Sequence, residues 1–163
     1  MKTSLTKRIE LELYSFVNAA GNGVYGAYEV CYGPGYGNEY CDFVTYSSKG
    51  EIRCYEIKIS KQDFHSSNKL TFRGHYNYFV IPAPLYPEIK NEIPYQVGVI
   101  IYYDNDNPKL RAFEIKKKAT KQTIYIYQVV ETLHCMVRSL SRLTTKFVNT
   151  EKEKYNKLLN EYQ

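Results

Sequence analysis

The residues with the clearest chemical potential are Asp42, Glu56 and Lys58, which lie in or beside two stretches that otherwise read as buried strands. Asp, Glu and Lys side chains are rarely fully buried unless they are paired or bind a metal ion. Two carboxylates and an ammonium group in neighbouring strands therefore predict a divalent-cation site with an adjacent lysine. Such a site is what metal-assisted hydrolysis of a phosphodiester bond requires.

The spacing of these residues predicts that one hairpin brings them together. The turn residues Ser47–Gly50 join the two strands over a short distance, which favours antiparallel pairing. A hairpin centred on Lys49 makes Asp42 and Glu56 direct cross-strand neighbours. Side-chain alternation places Lys58 on the same face as Glu56. Because two like charges repel, this arrangement makes sense mainly with a cation between the carboxylates.

The predicted ligand set is made of oxygen atoms. The carboxylates of Asp42 and Glu56, the backbone carbonyl of Ile57, waters and a substrate phosphate form a shell suited to Mg²⁺, for which Mn²⁺ can substitute. The metal would lower the pKa of a bound water, and Lys58 would orient that water or neutralise the transition state. The alternative is an exposed hairpin face on which Glu56 and Lys58 form ordinary surface ion pairs.

The elements that must position these residues alternate between helical and strand patterns. Helices are predicted over residues 4–18, 61–66, 85–92, 121–145 and 150–161. Strands are predicted over residues 25–32, 40–46, 52–59, 75–82, 96–103 and 110–115. This order predicts an α/β fold, with an αβββαβ core around a mixed central sheet flanked by helices, plus C-terminal helices. We expect one domain over 1–163, with its core at about 4–118 and the C-terminal helices at about 121–162.

The composition of the chain indicates which classes of partner, metal site and compartment to expect. The chain has 22 basic and 17 acidic residues, a net charge of +5, which is compatible with a polyanionic partner such as DNA. The four cysteines form no C-x-x-C pair and have no histidine at zinc-site spacing, which argues against a zinc site. The N-terminus has no apolar signal-peptide region, and no apolar run approaches a membrane span. We therefore expect a cytoplasmic protein without membrane contact.

Nearly half of the chain, from Glu29 to about Tyr103, resembles the PD-(D/E)xK nuclease superfamily. The residues that carry the resemblance are Tyr28–Val30, Cys41–Phe43, Arg53–Phe64, Phe72–Val80 and Ile93–Val99. The likeness is closest to small phage and mobile-element proteins, and the run E-I-K-I-S-K-Q-D-F is similar to repair-associated members. The resemblance implies a restriction-endonuclease-like αβββαβ fold and metal-dependent hydrolysis of DNA.

The resemblance also implies roles for the opening residues. Asp42 and Glu56 would be metal ligands, and Lys58 would be the catalytic lysine. Cys41 stands where the name-giving Pro would be, a position that varies between members. A further acidic ligand often comes from the first helix, where Glu10 and Glu12 are candidates.

Several other residues have weaker functional assignments than Asp42, Glu56 and Lys58. Glu29, a lone acid in the first strand, is a third candidate ligand, and a structural salt bridge to a lysine is its alternative. Glu10 could equally be a solvated helix charge. Asp63 is predicted to cap the helix that begins near Ser60. Lys61 and His75 are candidate DNA contacts.

Three functions follow from these expectations. The first is a metal-dependent DNA nuclease that acts in phage or mobile-element DNA processing or in repair. The second is a non-catalytic DNA-binding module that keeps the nuclease fold. The third is a partner-binding subunit that works through the C-terminal helices, where the segment Glu151–Glu161 reads as a surface helix or as the contact of a homodimer or protein partner.

Overall fold

The computed structural model describes most of the chain. The described residues are 2–17, 23–33, 39–66, 72–105 and 111–161. Most of the turn residues predicted at 18–23, 33–38, 66–69 and 104–108, and Leu110 at the start of the last predicted strand, lie outside these ranges.

The observed elements follow the predicted order, so the αβββαβ core is confirmed. The strands are β1 Val24–Cys31, β2 Tyr40–Ser47, β3 Ile52–Ile57, β4 Tyr76–Pro82, β5 Gly98–Tyr102 and β6 Phe113–Lys117. The α-helices are α1 Ser4–Val17, α2 Lys61–Phe64, α3 Tyr86–Ile89 and α4 Ile126–Glu161, and a 3₁₀ turn at Ala83–Leu85 precedes α3.

In the described part of the chain, the strands form one mixed sheet in the order β1-β2-β3-β4-β5-β6. Strand β4 runs parallel to β3 and β5, and the other neighbouring pairs are antiparallel. The β2–β3 hairpin pairs Phe43 with Tyr55 and Tyr46 with Ile52, a register centred on residue 49 as predicted. Gly50 closes its turn with a φ of 80°, a conformation that glycine adopts without steric cost.

Helices cover both faces of the sheet, because neighbouring residues of each strand point to opposite sides. On one face, Ile9 and Leu13 of α1 are fully buried against aromatic and aliphatic side chains of β2 to β6. On the other face, Cys135 and Met136 of α4 pack over β1 to β3. The segment that contains α3 buries Ile89 against β4 and β5 on that same face.

The C-terminal region differs from the prediction, because the two expected helices form one continuous α4 of 36 residues. The predicted break lay at residues 146–149, next to Thr144, Thr145 and Thr150, which have low helix propensity. The hydroxyls of Thr144 and Thr150 donate to the carbonyls of Leu140 and Lys146 at 3.0 Å, so these side chains are accommodated inside the helix. Although α4 exceeds the length of a membrane span, no helix among the described residues combines that length with the apolar composition that crossing needs.

The packing of α1 predicts a large difference between two leucines of the same helix. Leu13 is fully buried, whereas Leu11 is 70% exposed. Leu13→Ala should lower the free energy of unfolding by about 2–5 kcal/mol, because it removes buried methyl groups and leaves a cavity. Leu11→Ala is the matched control and should change stability by less than about 0.5 kcal/mol. Equal effects in urea denaturation would contradict this packing.

Candidate active site

Asp42 and Glu56 lie side by side at one end of the β2–β3 hairpin. The Oδ2 atom of Asp42 accepts a hydrogen bond of 2.8 Å from the backbone N–H of Ile57. Glu56 and Lys58 are each only 6% exposed. This degree of burial does not fit the alternative of an exposed hairpin face with ordinary surface pairs.

An interruption in the pleat of β1 and β2 explains the position of Asp42. Tyr28 and its partner Phe43 face α1, yet two residues further on, Val30 and its partner Cys41 face α4. Regular alternation would return the second pair to the first face. Asp42 lies at the point where β2 switches faces, and there its carboxylate acts as the acceptor for a backbone N–H of β3.

The same interruption is visible in the backbone of β1. Glu29 has a φ of 48°, in the left-handed region, which costs a residue other than glycine on the order of 1–2 kcal/mol. The carbonyl of Glu29 accepts hydrogen bonds from Ser139 Oγ at 3.1 Å and from Arg142 Nη2 at 3.0 Å. Helix α4 therefore holds the distorted backbone beside the site.

The carboxylate of Glu56 is in an unfavourable environment for a charge. Among the described residues, its Oε1 atom is the buried side-chain oxygen or nitrogen that has no hydrogen-bond partner. Burial first, and then the charge of Asp42, raise the pKa of Glu56 to about 9, while Lys58 acts in the opposite direction. Burial also raises the pKa of Asp42, against the Ile57 N–H and the charges of Lys2 and Lys58. Both carboxylates therefore favour a bound proton or a cation.

Lys58 is held at the end of β3 by its neighbours. Its backbone N–H donates to Val80 O at 3.0 Å, which continues the pairing with β4. Its Nζ lies 3.9 Å from Asp63 Oδ1, and Asp63 Oδ2 accepts from the N–H of Ile59 at 3.0 Å. The predicted cap is confirmed, because the Asp63 N–H donates to Ser60 Oγ at 3.1 Å. Asp63 therefore links the helix cap at Ser60 to Lys58, the candidate catalytic lysine. The sequence patterns did not predict the contact between Asp63 and Lys58.

Of the candidate third acids, Glu10 approaches Asp42, and Glu29 is joined to the same cluster through Lys2. Lys2 pairs with the carboxylate of Glu10 and lies 2.8 Å from Glu29 Oε1. Burial raises the pKa of Glu10, and the charge of Asp42 adds to this increase. The salt bridge considered for Glu29 is therefore present. Lys2 preceded every predicted element, so no spacing in the sequence could have assigned it to this cluster.

The side chain of Glu12 points away from Asp42. It accepts hydrogen bonds from Tyr102 at 3.2 Å and from Arg8 at 3.1 Å, toward β5. Of the two acids considered on the first helix, the structure therefore brings only Glu10 toward Asp42.

The two candidate DNA contacts are far apart. Lys61 is exposed on α2, the helix that carries Asp63, and so flanks the site. The Nδ1 of His75 accepts from the N–H of Ile52 at 3.0 Å. Because Ile52 begins β3 and Glu56 lies four residues further along the strand, His75 lies about 13 Å from the carboxylate pair.

The residues present fit a cation held by few protein side chains. Among the described residues, no group of three or more His, Cys, Asp and Glu side chains is placed to hold a metal ion. Asp42 and Glu56 supply two carboxylates, and the unpartnered oxygen of Glu56 is the kind of buried acceptor that a cation satisfies. Lys2 neutralises Glu10 and Glu29, so the remaining ligands would be the Ile57 carbonyl, water and substrate oxygens.

The fold and site define an α/β protein whose mixed sheet carries a buried carboxylate pair and a lysine at the end of a hairpin. No protein-family model matches the sequence, and no curated protein matches it. Among solved structures, the fold is similar to that of a protein of unknown function from Silicibacter pomeroyi, with a TM-score of 0.61. The two share 19% identity over 79% of this chain and 82% of the other. At this identity the similarity shows the fold alone.

The raised pKa of Glu56 predicts how the metal-free protein responds to pH. Between the unfolded value near 4.5 and the folded value of about 9, the folded state holds a proton that the unfolded state has lost. Stability in EDTA should therefore fall as pH rises through this window, by on the order of a few kcal/mol. Glu56→Gln removes this titration, so its advantage over wild type should grow with pH.

Urea denaturation from pH 5 to pH 9 measures this difference. Glu88→Gln, at an exposed carboxylate, is the matched control and should follow the wild-type curve. If the wild-type and Glu56→Gln stabilities changed in parallel with pH, Glu56 would not be the buried titrating group described here.

Proposed function

We propose that this protein is a magnesium-dependent nuclease that hydrolyses phosphodiester bonds in DNA. The observation that carries the proposal is the buried carboxylate of Glu56, whose Oε1 has no hydrogen-bond partner, beside Asp42 and with Lys58 at the end of the same strand. The resemblance of the segment around these residues to the PD-(D/E)xK superfamily supports the same assignment. It also supports a cytoplasmic role in phage or mobile-element DNA processing or in repair.

Each residue of the site has a distinct role in this proposal. Asp42, Glu56 and the Ile57 carbonyl would hold Mg²⁺, with Mn²⁺ as a substitute. When bound, the metal supplies a water of lowered pKa and offsets charge on the scissile phosphate. Lys58 orients the attacking water and donates to the phosphate, and Asp63 keeps the Lys58 ammonium at the end of β3.

The surroundings of the site suit a DNA backbone. The net charge of +5 favours a polyanion. Lys61 is exposed on α2 beside Lys58, where it can contact a phosphate. His75 would contact DNA only if the substrate extended toward the other end of β3.

The first test is cleavage. Asp42→Asn and Lys58→Met should each lower metal-dependent cleavage by at least about 100-fold, because they remove a ligand and a transition-state charge. The measurement is cleavage of single-stranded, duplex, branched and damaged DNA with Mg²⁺ or Mn²⁺. Glu88→Gln and Lys90→Met are exposed matched controls and should retain wild-type rates.

Two outcomes would contradict the proposal. One is cleavage that survives both substitutions at the site. The other is DNA binding of equal affinity in chelator and in Mg²⁺ without cleavage of any substrate, which is the behaviour of a non-catalytic DNA-binding module.

The second test is metal binding without turnover. At pH 8, Mg²⁺ should raise the melting temperature of the wild-type protein, by a shift equivalent to about 2.7 kcal/mol when Mg²⁺ is 100-fold above its Kd. Glu56→Gln lacks the ionised ligand and should show little or no shift, while Glu88→Gln should behave as wild type. An equal shift in Glu56→Gln would place the bound Mg²⁺ outside this site.

A further inference from the structure

Helix α4 continues far beyond the part that packs on the sheet. Its buried residues, Thr132, Cys135, Met136 and Ser139, all lie in its first half. Every described residue from 140 to 161 is exposed. More than half of a helix about 54 Å long is therefore exposed, although Arg142 near the start of this part still donates to the Glu29 carbonyl.

An apolar stripe follows the exposed side of α4. From Ile126 onward, the residues of this stripe follow one another in alternating steps of four and three. Its members, here named the α4 seam, are Ile126, Val130, Leu133, Val137, Leu140, Thr144 and Phe147. Exposure of the large apolar members Ile126, Val137 and Phe147 is 77%, 64% and 66%. A mean step of 3.5 residues is the repeat of helices that supercoil around each other.

The seam lies beside the body of the protein: Leu133 also packs against the core cluster under α4, whereas the seam from Val137 to Phe147 is exposed. On a helix with 3.6 residues per turn, the buried Met136, Ser139 and Cys135 lie about a fifth, a third and a half of a turn from the seam. A second helix can therefore lie along the seam while each sheet stays on the outer side of its own helix.

We propose that the α4 seam is the interface of a homodimer, in which two α4 helices form a parallel two-stranded coiled coil. The residue types specify this arrangement. Every second position of the seam is β-branched, namely Val130, Val137 and Thr144, and the intervening positions include Leu133 and Leu140. β-Branched residues at a positions with leucine at d positions favour parallel dimers.

The area available suits a second copy of the chain. Beyond Phe147, the side chains of Val148, Tyr155, Leu158 and Leu159 continue the apolar side, with exposures between 40% and 63%. From Ile126 to Leu159 the stripe is about 50 Å long and about 10 Å wide, or roughly 500 Å² on each copy. Two copies would bury about 1,000 Å², which reaches the size of a specific interface.

The charged residues of α4 favour a second copy of the chain over a lipid surface as the partner of the seam. Glu151 lies within the stripe, where insertion into a bilayer would remove its water. Lys154 Nζ lies 2.7 Å from Glu151 Oε1 in the same helix, and this ion pair offsets the like charges that meet at position 151 in a parallel pair. The far side of the helix, which includes Asn149, Glu153 and Asn156, stays in water in the dimer.

The test uses the full chain in light scattering and sedimentation at micromolar concentrations. The wild-type mass should be twice the 19.1 kDa of one chain. Leu140→Glu places a charge in the seam and should shift the mass to that of one chain. Asn149→Glu places the same charge on the opposite side of α4 and should leave the dimer intact. Since Leu140 is 41% exposed, the variant should keep the wild-type circular dichroism of its sheet.

A second experiment tests the orientation without depending on that variant. Thr144→Cys should cross-link to itself under mild oxidation by copper phenanthroline, because equivalent seam positions meet in a parallel pair. Asn149→Cys, on the far side, should cross-link at least tenfold more slowly. A monomeric wild type, a dimer unaffected by Leu140→Glu, equal cross-linking of the two cysteine variants, or a wild-type monomer that binds anionic vesicles through α4 would each overturn the proposal.

Discussion

The burial of the Glu56 carboxylate is the constraint on which this end of the molecule depends. Removing a charged carboxylate from water costs several kcal/mol unless a partner compensates. Glu56 lies near the end of β3, an interior strand between β2 and β4, and is only 6% exposed. Its neighbours satisfy the carboxylate only in part, because Oε1 has no hydrogen-bond partner. Burial of such a group therefore lowers the stability of the fold unless a proton or a cation compensates its charge.

The surrounding structure supports the same end of the sheet from three sides. The interrupted pleat of β2 brings Asp42 to the Ile57 N–H, and the left-handed Glu29 accompanies that interruption in β1. Helix α4 holds the Glu29 carbonyl through Ser139 and Arg142. The short α2 supplies Asp63 to Lys58 from the opposite direction. One helix therefore contributes both to the geometry of the site and to the proposed dimer interface, so assembly and activity share a structural element.

The sequence predicts this site well where local rules decide the geometry. A short turn specifies the register of the β2–β3 hairpin, which continues to Phe43 and Tyr55 beside Asp42 and Glu56, and the Ser60 cap follows from its pattern. Other features depend on tertiary contacts that leave no local pattern. A glutamate with a left-handed φ breaks the usual preference for glycine, so Glu29 could not be identified as the point where the pleat changes.

Two further differences between the sequence-based expectations and the structure also depend on contacts that leave no local pattern. Lys2 reaches Glu10 and Glu29 only because α1 lies against the sheet, and its position before the first helix gives no indication of this. The predicted break at residues 146–149 does not occur, and the hydroxyls of Thr144, Thr145 and Thr150 bond to carbonyls within the continuous α4. The apolar period runs through the predicted break.

The most direct test of the central claim is anomalous diffraction from a crystal soaked in Mn²⁺ at pH 8, where the metal competes with the proton on Glu56. The account predicts a peak within about 2.0–2.6 Å of one carboxylate oxygen of Asp42 and one of Glu56, the range of oxygen ligands to hard divalent cations. The peak should be absent from a Glu56→Gln crystal treated in the same way. A wild-type crystal with no peak between these two carboxylates would contradict the account.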